Sequence, residues 1–291
     1  MVRNDVGLST FVLASPFTDR DAASFDRVAD MGYDLIEVCI EDPTVLSANW
    51  IAEQAHRTGL AVSICGAFGP GRDISASDAE TRDGALHYLK TCVDIAAIVG
   101  SPHVAGPMYA VTGGAPMRDE TERIAKRLRA ATGLGLVADY AAERGIRLAI
   151  EPLNRFETDL VNTVEQGVEL CDLIGRTNVG LLIDTFHMNI EEKNIGDAVR
   201  AAADRVFLVQ VSENDRGAPG SGHVPWEQFF ASLRDIGYAG PVVVESFLPT
   251  VKEIARAVSL WRPVAASMEE LAVNGLAFVR SSLDQSRGSA A

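Results

Sequence analysis

Four short apolar runs in this chain each end in one oxygen-bearing side chain. Arg147-Leu-Ala-Ile150 leads to Glu151, Val179-Gly-Leu-Leu-Ile183 to Asp184, Val206-Phe-Leu-Val209 to Gln210, and Pro241-Val-Val-Val244 to Glu245. A carboxylate at the mouth of a buried strand is costly unless something compensates it. Four such groups on four strands point to one shared ligand, and a divalent cation is the simplest. Three carboxylates plus an amide oxygen form a hard donor set, suited to Mn²⁺, with Mg²⁺ or Co²⁺ as alternatives. With one dication the set is left at a net charge of −1, which a chelating diol or hydroxy-ketone would relieve.

More polar groups sit between these positions. His187 follows Asp184 by three residues, Arg216 follows Gln210 by six, and Glu157 follows Glu151 by six. All three are expected to face the same pocket. Glu213 is read as a neutralising partner of Arg216. The turn-rich segment 217–226 reads as a movable loop, with Trp226 packing at the start of a helix. His56 and His87 fall in helices, and His103 opens a short strand with no chemistry assigned to it.

The elements that must position these groups alternate along the chain. Strands are expected at 7–13, 34–39, 60–65, 103–106, 147–150, 179–183, 206–209 and 241–244. Helices are expected at 18–31, about 45–57, 78–99, 119–142, 163–174, 195–203 and 225–236, with more helix after Pro249. Gly32, Gly59, Gly100, Gly145 and Gly237 stand where helices should stop. Pro152 should end the fifth ladder, since proline has no N–H to donate. Continuous apolar strands point to a parallel sheet buried on both faces. Eight strand–helix units in this length favour an α/β fold of the (β/α)8 TIM-barrel type, as one domain over 1–283 with a frayed tail at 284–291. No Gly-x-Gly-x-x-Gly follows the first strand, so a dinucleotide fold lacks its fingerprint. In a barrel all strand C-termini face one mouth, which brings Glu151, Asp184, Gln210 and Glu245 together.

Composition narrows the function further. The chain has 291 residues, 47% hydrophobic and 23% charged, with a net charge of −14. That field repels phosphate backbones and anionic lipid, so neither nucleic acid nor membrane is an expected partner. No run reaches the ~18 apolar residues of a membrane span, and the N-terminus carries no export signal. Cys39, Cys65, Cys92 and Cys171 form no CxxC pair and read as free thiols in a reducing cytoplasm.

The segments IEPLNRFETDLVNT, LLIDTFHMNIEE, VSENDRG with PGSGHVPW, and GPVVVESF closely resemble the ketose 3-epimerases of the D-tagatose/D-allulose type, in the xylose-isomerase-like TIM-barrel superfamily. The resemblance covers most of the chain and is strongest from Leu148 to Phe247. It implies that Glu151 and Glu245 bind the metal and act as acid and base on opposite faces of the sugar. It implies that Asp184 is the metal aspartate, and that Glu157, His187 and Arg216 hold the ketose around O1 and O2. A homodimer or tetramer is implied as well. One position departs from the pattern: where the 3-epimerases carry a metal-binding histidine, this chain has Gln210, as the related hydroxypyruvate isomerases do. The expected activity is C3 epimerisation of a free ketose through a metal-stabilised enediolate. Two alternatives share the barrel. One is an aldose–ketose isomerase of the hydroxypyruvate isomerase kind. The other is a lyase on 3-keto-glycosides like the C-glycoside deglycosidases, which would pair with a small subunit and keep loops 66–76 and 107–117 clear of the pocket mouth. A binding-only role would instead have the carboxylates paired with Arg155 or Arg216.

Overall fold

A computed structural model describes residues 4–288. The elements run β1 (Val6–Ser9), α1 (Ala22–Asp30), β2 (Leu35–Ile40), α2 (Ala48–Thr58), β3 (Ala61–Gly66), α3 (Ala79–Val99), β4 (His103–Gly106) and α4 (Glu120–Ala142). They continue with β5 (Arg147–Ile150), α5 (Val164–Ile174), β6 (Val179–Asp184), α6 (Thr185–Glu191), α7 (Ile195–Ala202), β7 (Val206–Val211), α8 (Trp226–Asp235), β8 (Val242–Val244), α9 (Lys252–Ala257) and α10 (Met268–Gly288). The eight strands pair in sequence order, all parallel, and β8 closes on β1. The chain is a (β/α)8 TIM barrel. α10 carries the chain through 284–288, the first part of the tail expected to fray, and 289–291 lie outside the described residues. Among the described residues no helix is long and apolar enough to cross a membrane.

Local chemistry explains where the elements start and stop. The first strand is shorter than the apolar run 7–13 predicts. Ser9 is the last residue of the strand and its hydroxyl accepts from Phe11 N, so Thr10–Val12 turns into a 3-10 helix. Thr163 and Gln166 form a reciprocal capping box on α5, and Gly175 closes that helix in the left-handed region. Asp78 caps α3, its side chain accepting from Thr81 N. α6 has no counterpart in the sequence expectation. It begins directly at Asp184, whose carboxylate accepts from Phe186 N.

The barrel interior is filled in layers. Leu35, Ala105, Ala149, Leu182, Leu208 and Val243 form a separate buried cluster inside the strands. Side chains two residues apart on a strand share a face. Glu151, Asp184, Gln210 and Glu245 therefore stand one layer above Ala149, Leu182, Leu208 and Val243, on the same inward face. The eight-stranded frame converts a period of two into a ring of polar side chains.

The closure depends on close backbone approach at β6. A Cβ on Gly180 would lie 2.4 Å from Arg205 O and 2.7 Å from the Phe207 ring, where the β6–β7 register shifts. Gly180→Ala is expected to destabilise the fold by about 1–3 kcal/mol, as overpacking does. A urea midpoint that falls with an unchanged m-value would show it, and an unchanged midpoint would contradict it.

Candidate active site

The four strand-end groups are brought together as the sequence predicts, and none is more than 6% exposed. Gln210 lies inside β7 rather than past its end, because the ladder continues to Val211. Arg216 Nη1 donates to Asp184 Oδ2 at 2.6 Å and to Glu245 Oε2 at 3.2 Å. Its guanidinium is packed between the rings of Phe186, 4.0 Å away, and Phe247, 4.8 Å away. Arg216 reaches the barrel mouth from a backbone with φ of 65°, a sparsely populated region for a non-glycine residue. Arg155 does not join this group; it bonds Glu191 instead.

Glu213 corrects its sequence assignment. Its carboxylate does not neutralise Arg216. It accepts from the backbone N–H groups of Asn214, Gly220 and Val224 and from Trp226 Nε1, at 3.2, 2.9, 2.8 and 2.9 Å. A buried carboxylate with four donors is satisfied where it stands. It ties the 213–226 loop to the start of α8, where Trp226 packs on Phe230.

His187 sits at the centre. Its Nδ1 accepts from the backbone N–H of Asn154 at 3.1 Å, which leaves Nε2 to carry the ring hydrogen. Nε2 lies 3.4 Å from Glu151 Oε1 and 3.6 Å from Asp184 Oδ2. Glu151, Asp184 and His187 are close enough to share an ion, their ligand atoms lying within 4.8 Å of one another. With Nε2 protonated, however, His187 has no lone pair for a cation and acts as a donor. Arg216 Nη2, which can only donate, lies 3.0 Å from the same nitrogen. Glu157 accepts from Asn154 Nδ2 at 2.8 Å.

Glu151, Glu157, His187, Arg216 and Glu245 line one cavity of about 230 Å³, walled by Phe11, Phe68, Leu153 and Phe247. Asp184 does not line it, since Arg216 covers it, and neither does Gln210. Thr112 N and Oγ1 both donate to Phe68 O, at 2.9 and 3.2 Å, and so link loops 66–76 and 107–117 on this wall.

Burial works against the charge on Glu151, Glu245 and Arg216 alike. Burial pushes the Glu151 carboxyl up and the Glu245 carboxyl well up, and each also repels the other carboxylates. Burial works against the Arg216 charge, yet Asp184 and Glu245 outweigh it and hold the guanidinium above its usual range. Gln210 Oε1 is buried and meets no donor. Three carboxylate side chains and this unpartnered oxygen could hold a hard dication, and the donor set fits one.

One buried network went unread in the sequence. Glu37, in the middle of β2, accepts from Gln210 Nε2 at 2.6 Å and from Ser63 Oγ at 3.2 Å. Ser63 Oγ lies 2.8 Å from His103 Nε2. Burial pushes Glu37 up to about 7 and His103 down to about 4. The available signal was one acidic residue inside an otherwise apolar run, Leu35-Ile-Glu-Val-Cys-Ile40.

The xylose isomerase-like TIM barrel family model matches residues 25–278. A protein of Synechocystis sp. named as a probable ketose 3-epimerase is 31% identical over 94% of this chain and 95% of its own length. The D-psicose 3-epimerase of Agrobacterium fabrum is 32% identical over 88% of this chain and 91% of its own. The crystal structure of a D-allulose 3-epimerase from Methylomonas sp. in complex with D-allulose superposes with a TM-score of 0.91. It is 28% identical and covers 97% of this chain and 98% of that one.

His103 makes folding sensitive to acid. Its folded pKa of about 4 lies below the ordinary 6.5, so the unfolded chain binds the extra proton between those values. Its contribution is complete above pH 6.5 and is lost as pH falls towards 4, by up to ~3 kcal/mol. His103→Asn should lose less stability than the parent between pH 7 and 4. Denaturant titrations that give both proteins the same pH dependence would contradict this.

Proposed function

The chain belongs to the xylose isomerase-like TIM-barrel family and, within it, to the ketose 3-epimerases, and from that premise we propose that it inverts C3 of a free ketose with a divalent cation bound. It is a carbohydrate epimerase. The observation that carries the finer reading is the convergence of Glu151 from β5 and Glu245 from β8 on one small cavity. Glu151, Asp184, Gln210 and Glu245 would hold the cation, Mn²⁺ first, which when bound polarises a carbonyl and the hydroxyl beside it.

This chain's own residues account for the remaining steps. One glutamate takes the C3 proton, the C3–H electron pair becomes the C2=C3 bond, and the C2 carbonyl π pair moves to its oxygen, giving an enediolate. The other glutamate returns a proton to C3 from the opposite face, which inverts the centre. Both carboxyls are pushed upward by burial, which suits groups that must hold a proton in one half of the cycle. Arg216 and the protonated Nε2 of His187 are donors placed to bind the oxygens at C1 and C2, and Glu157 accepts from a sugar hydroxyl.

The lyase alternative needs room for an aglycone. A cavity of about 230 Å³ falls below the ~300–1,000 Å³ of drug-sized sites, and the two loops that would have to stand clear are bonded to each other on its wall. The Arg216 pairing would also serve a binding-only protein, but such a role leaves the epimerase relatives unexplained. Four free buried thiols suit the cytoplasm. Assembly as a homodimer or tetramer is part of the same reading.

The test is a panel of free ketoses and 3-keto-glycosides incubated with Mn²⁺-loaded protein, with products separated by chromatography. C3-epimeric ketoses are expected, and cleavage of a glycoside would replace this reading with the lyase. Glu151→Gln and Glu245→Gln should each lower turnover by at least ~10²–10⁴-fold. In D₂O the product should carry deuterium at C3. Epimerisation over many turnovers without solvent deuterium would rule out the two-glutamate route.

A further inference from the structure

A metal-dependent epimerase needs Gln210 to present its amide oxygen, and any role for the neighbours of Gln210 rests on that reading of the function. A glutamine amide has a donor end and an acceptor end of nearly the same shape. Turned the wrong way, it would face a cation with N–H groups. Gln210 Nε2 lies 2.6 Å from Glu37 Oε1 and 3.3 Å from Glu245 Oε1, so both of its hydrogens have carboxylate acceptors. Oε1 is buried and meets no donor, which makes it the only end left for a cation.

Glu37 is fully buried and held from its other side. With the His103 Nε2 hydrogen donated to Ser63 Oγ, the Ser63 hydroxyl is free to donate to Glu37 Oε2. The hydrogens along this path then all point towards Glu37. With Glu37 ionised, a flipped Gln210 would set its oxygen 2.6 Å from a Glu37 oxygen, two acceptors in a buried place with no hydrogen between them. We propose that Glu37 is a positioning residue for the metal centre: braced by Ser63 and His103, its carboxyl locks the Gln210 amide with the oxygen free to bind the cation. Glu37 acts through Gln210 and touches neither cation nor sugar.

The test is Mn²⁺ affinity, read from the electron paramagnetic resonance signal of free Mn²⁺, for the parent, Glu37→Gln, Gln210→Ala and the double variant. Glu37→Gln keeps shape but brings a donor that welcomes the flipped amide. It should weaken Mn²⁺ binding by ~10–100-fold, the range for partners that orient metal ligands. In the Gln210→Ala background the same change should have less than a twofold effect, because the group it orients is gone. Parent-like affinity in Glu37→Gln overturns the inference. So does an equal loss in both backgrounds, which would make Glu37 a background charge only. If Glu37→Gln lacks the parent's near-UV circular dichroism, Glu37→Asp takes its place, since its carboxyl is one methylene short of Gln210. A parent that epimerises with Mn²⁺ while Glu37→Gln binds as well removes this inference alone. A parent that binds no Mn²⁺ removes the metal reading with it.

Discussion

Negative charge packed into a place that excludes water organises this end of the molecule. Glu151, Asp184 and Glu245 come from three strands of one barrel and are nearly inaccessible. Burying a carboxylate is expensive unless a cation or hydrogen bonds meet it. Arg216 supplies one positive charge, and the structure goes to some length to deliver it: a left-handed backbone turn and two aromatic faces on either side of the guanidinium. Even so, Glu151 and Glu245 are driven towards their protonated forms. A dication among these oxygens would change that balance and release Arg216 to bind substrate. Chemistry and charge compensation are thus two uses of the same residues.

The ring of donors was legible because strand periodicity is simple. An apolar run that ends in a single oxygen-bearing residue places that residue at the mouth, and four such runs in a parallel barrel must converge. Errors gathered where local chemistry overrides periodicity. Ser9 ends β1 early by capping a turn, and Asp184 starts a helix that the apolar pattern does not announce. Glu213 and Arg216 invite pairing because they are close in sequence and opposite in charge. Four donors from the loop claim Glu213 instead. Glu37 was invisible for another reason. Its partner Gln210 is 173 positions away, and a single acidic residue within a strand carries no sign of which way it faces.

Gln210 shows how the second layer shapes the first. An imidazole that uses one nitrogen for a metal can donate through the other, whereas an amide has to be held against turning round. In the positioning role proposed for Glu37, the acceptor that holds it comes from β2, on a path running through Ser63 to His103 at the start of β4. On that proposal the residues that orient the site reach from the mouth to His103 at the start of β4, into what would otherwise be packing.

The carboxylate cluster is proposed as a cation site, with Arg216 balancing part of its charge. The most direct measurement is a crystal structure of the protein soaked with Mn²⁺, with anomalous diffraction recorded on both sides of the manganese absorption edge. One anomalous peak is expected, bounded by oxygens of Glu151, Asp184, Gln210 and Glu245, with the Arg216 guanidinium moved off Asp184 towards the cavity. No peak at saturating Mn²⁺, with Arg216 still bonded to Asp184 and Glu245, would contradict it.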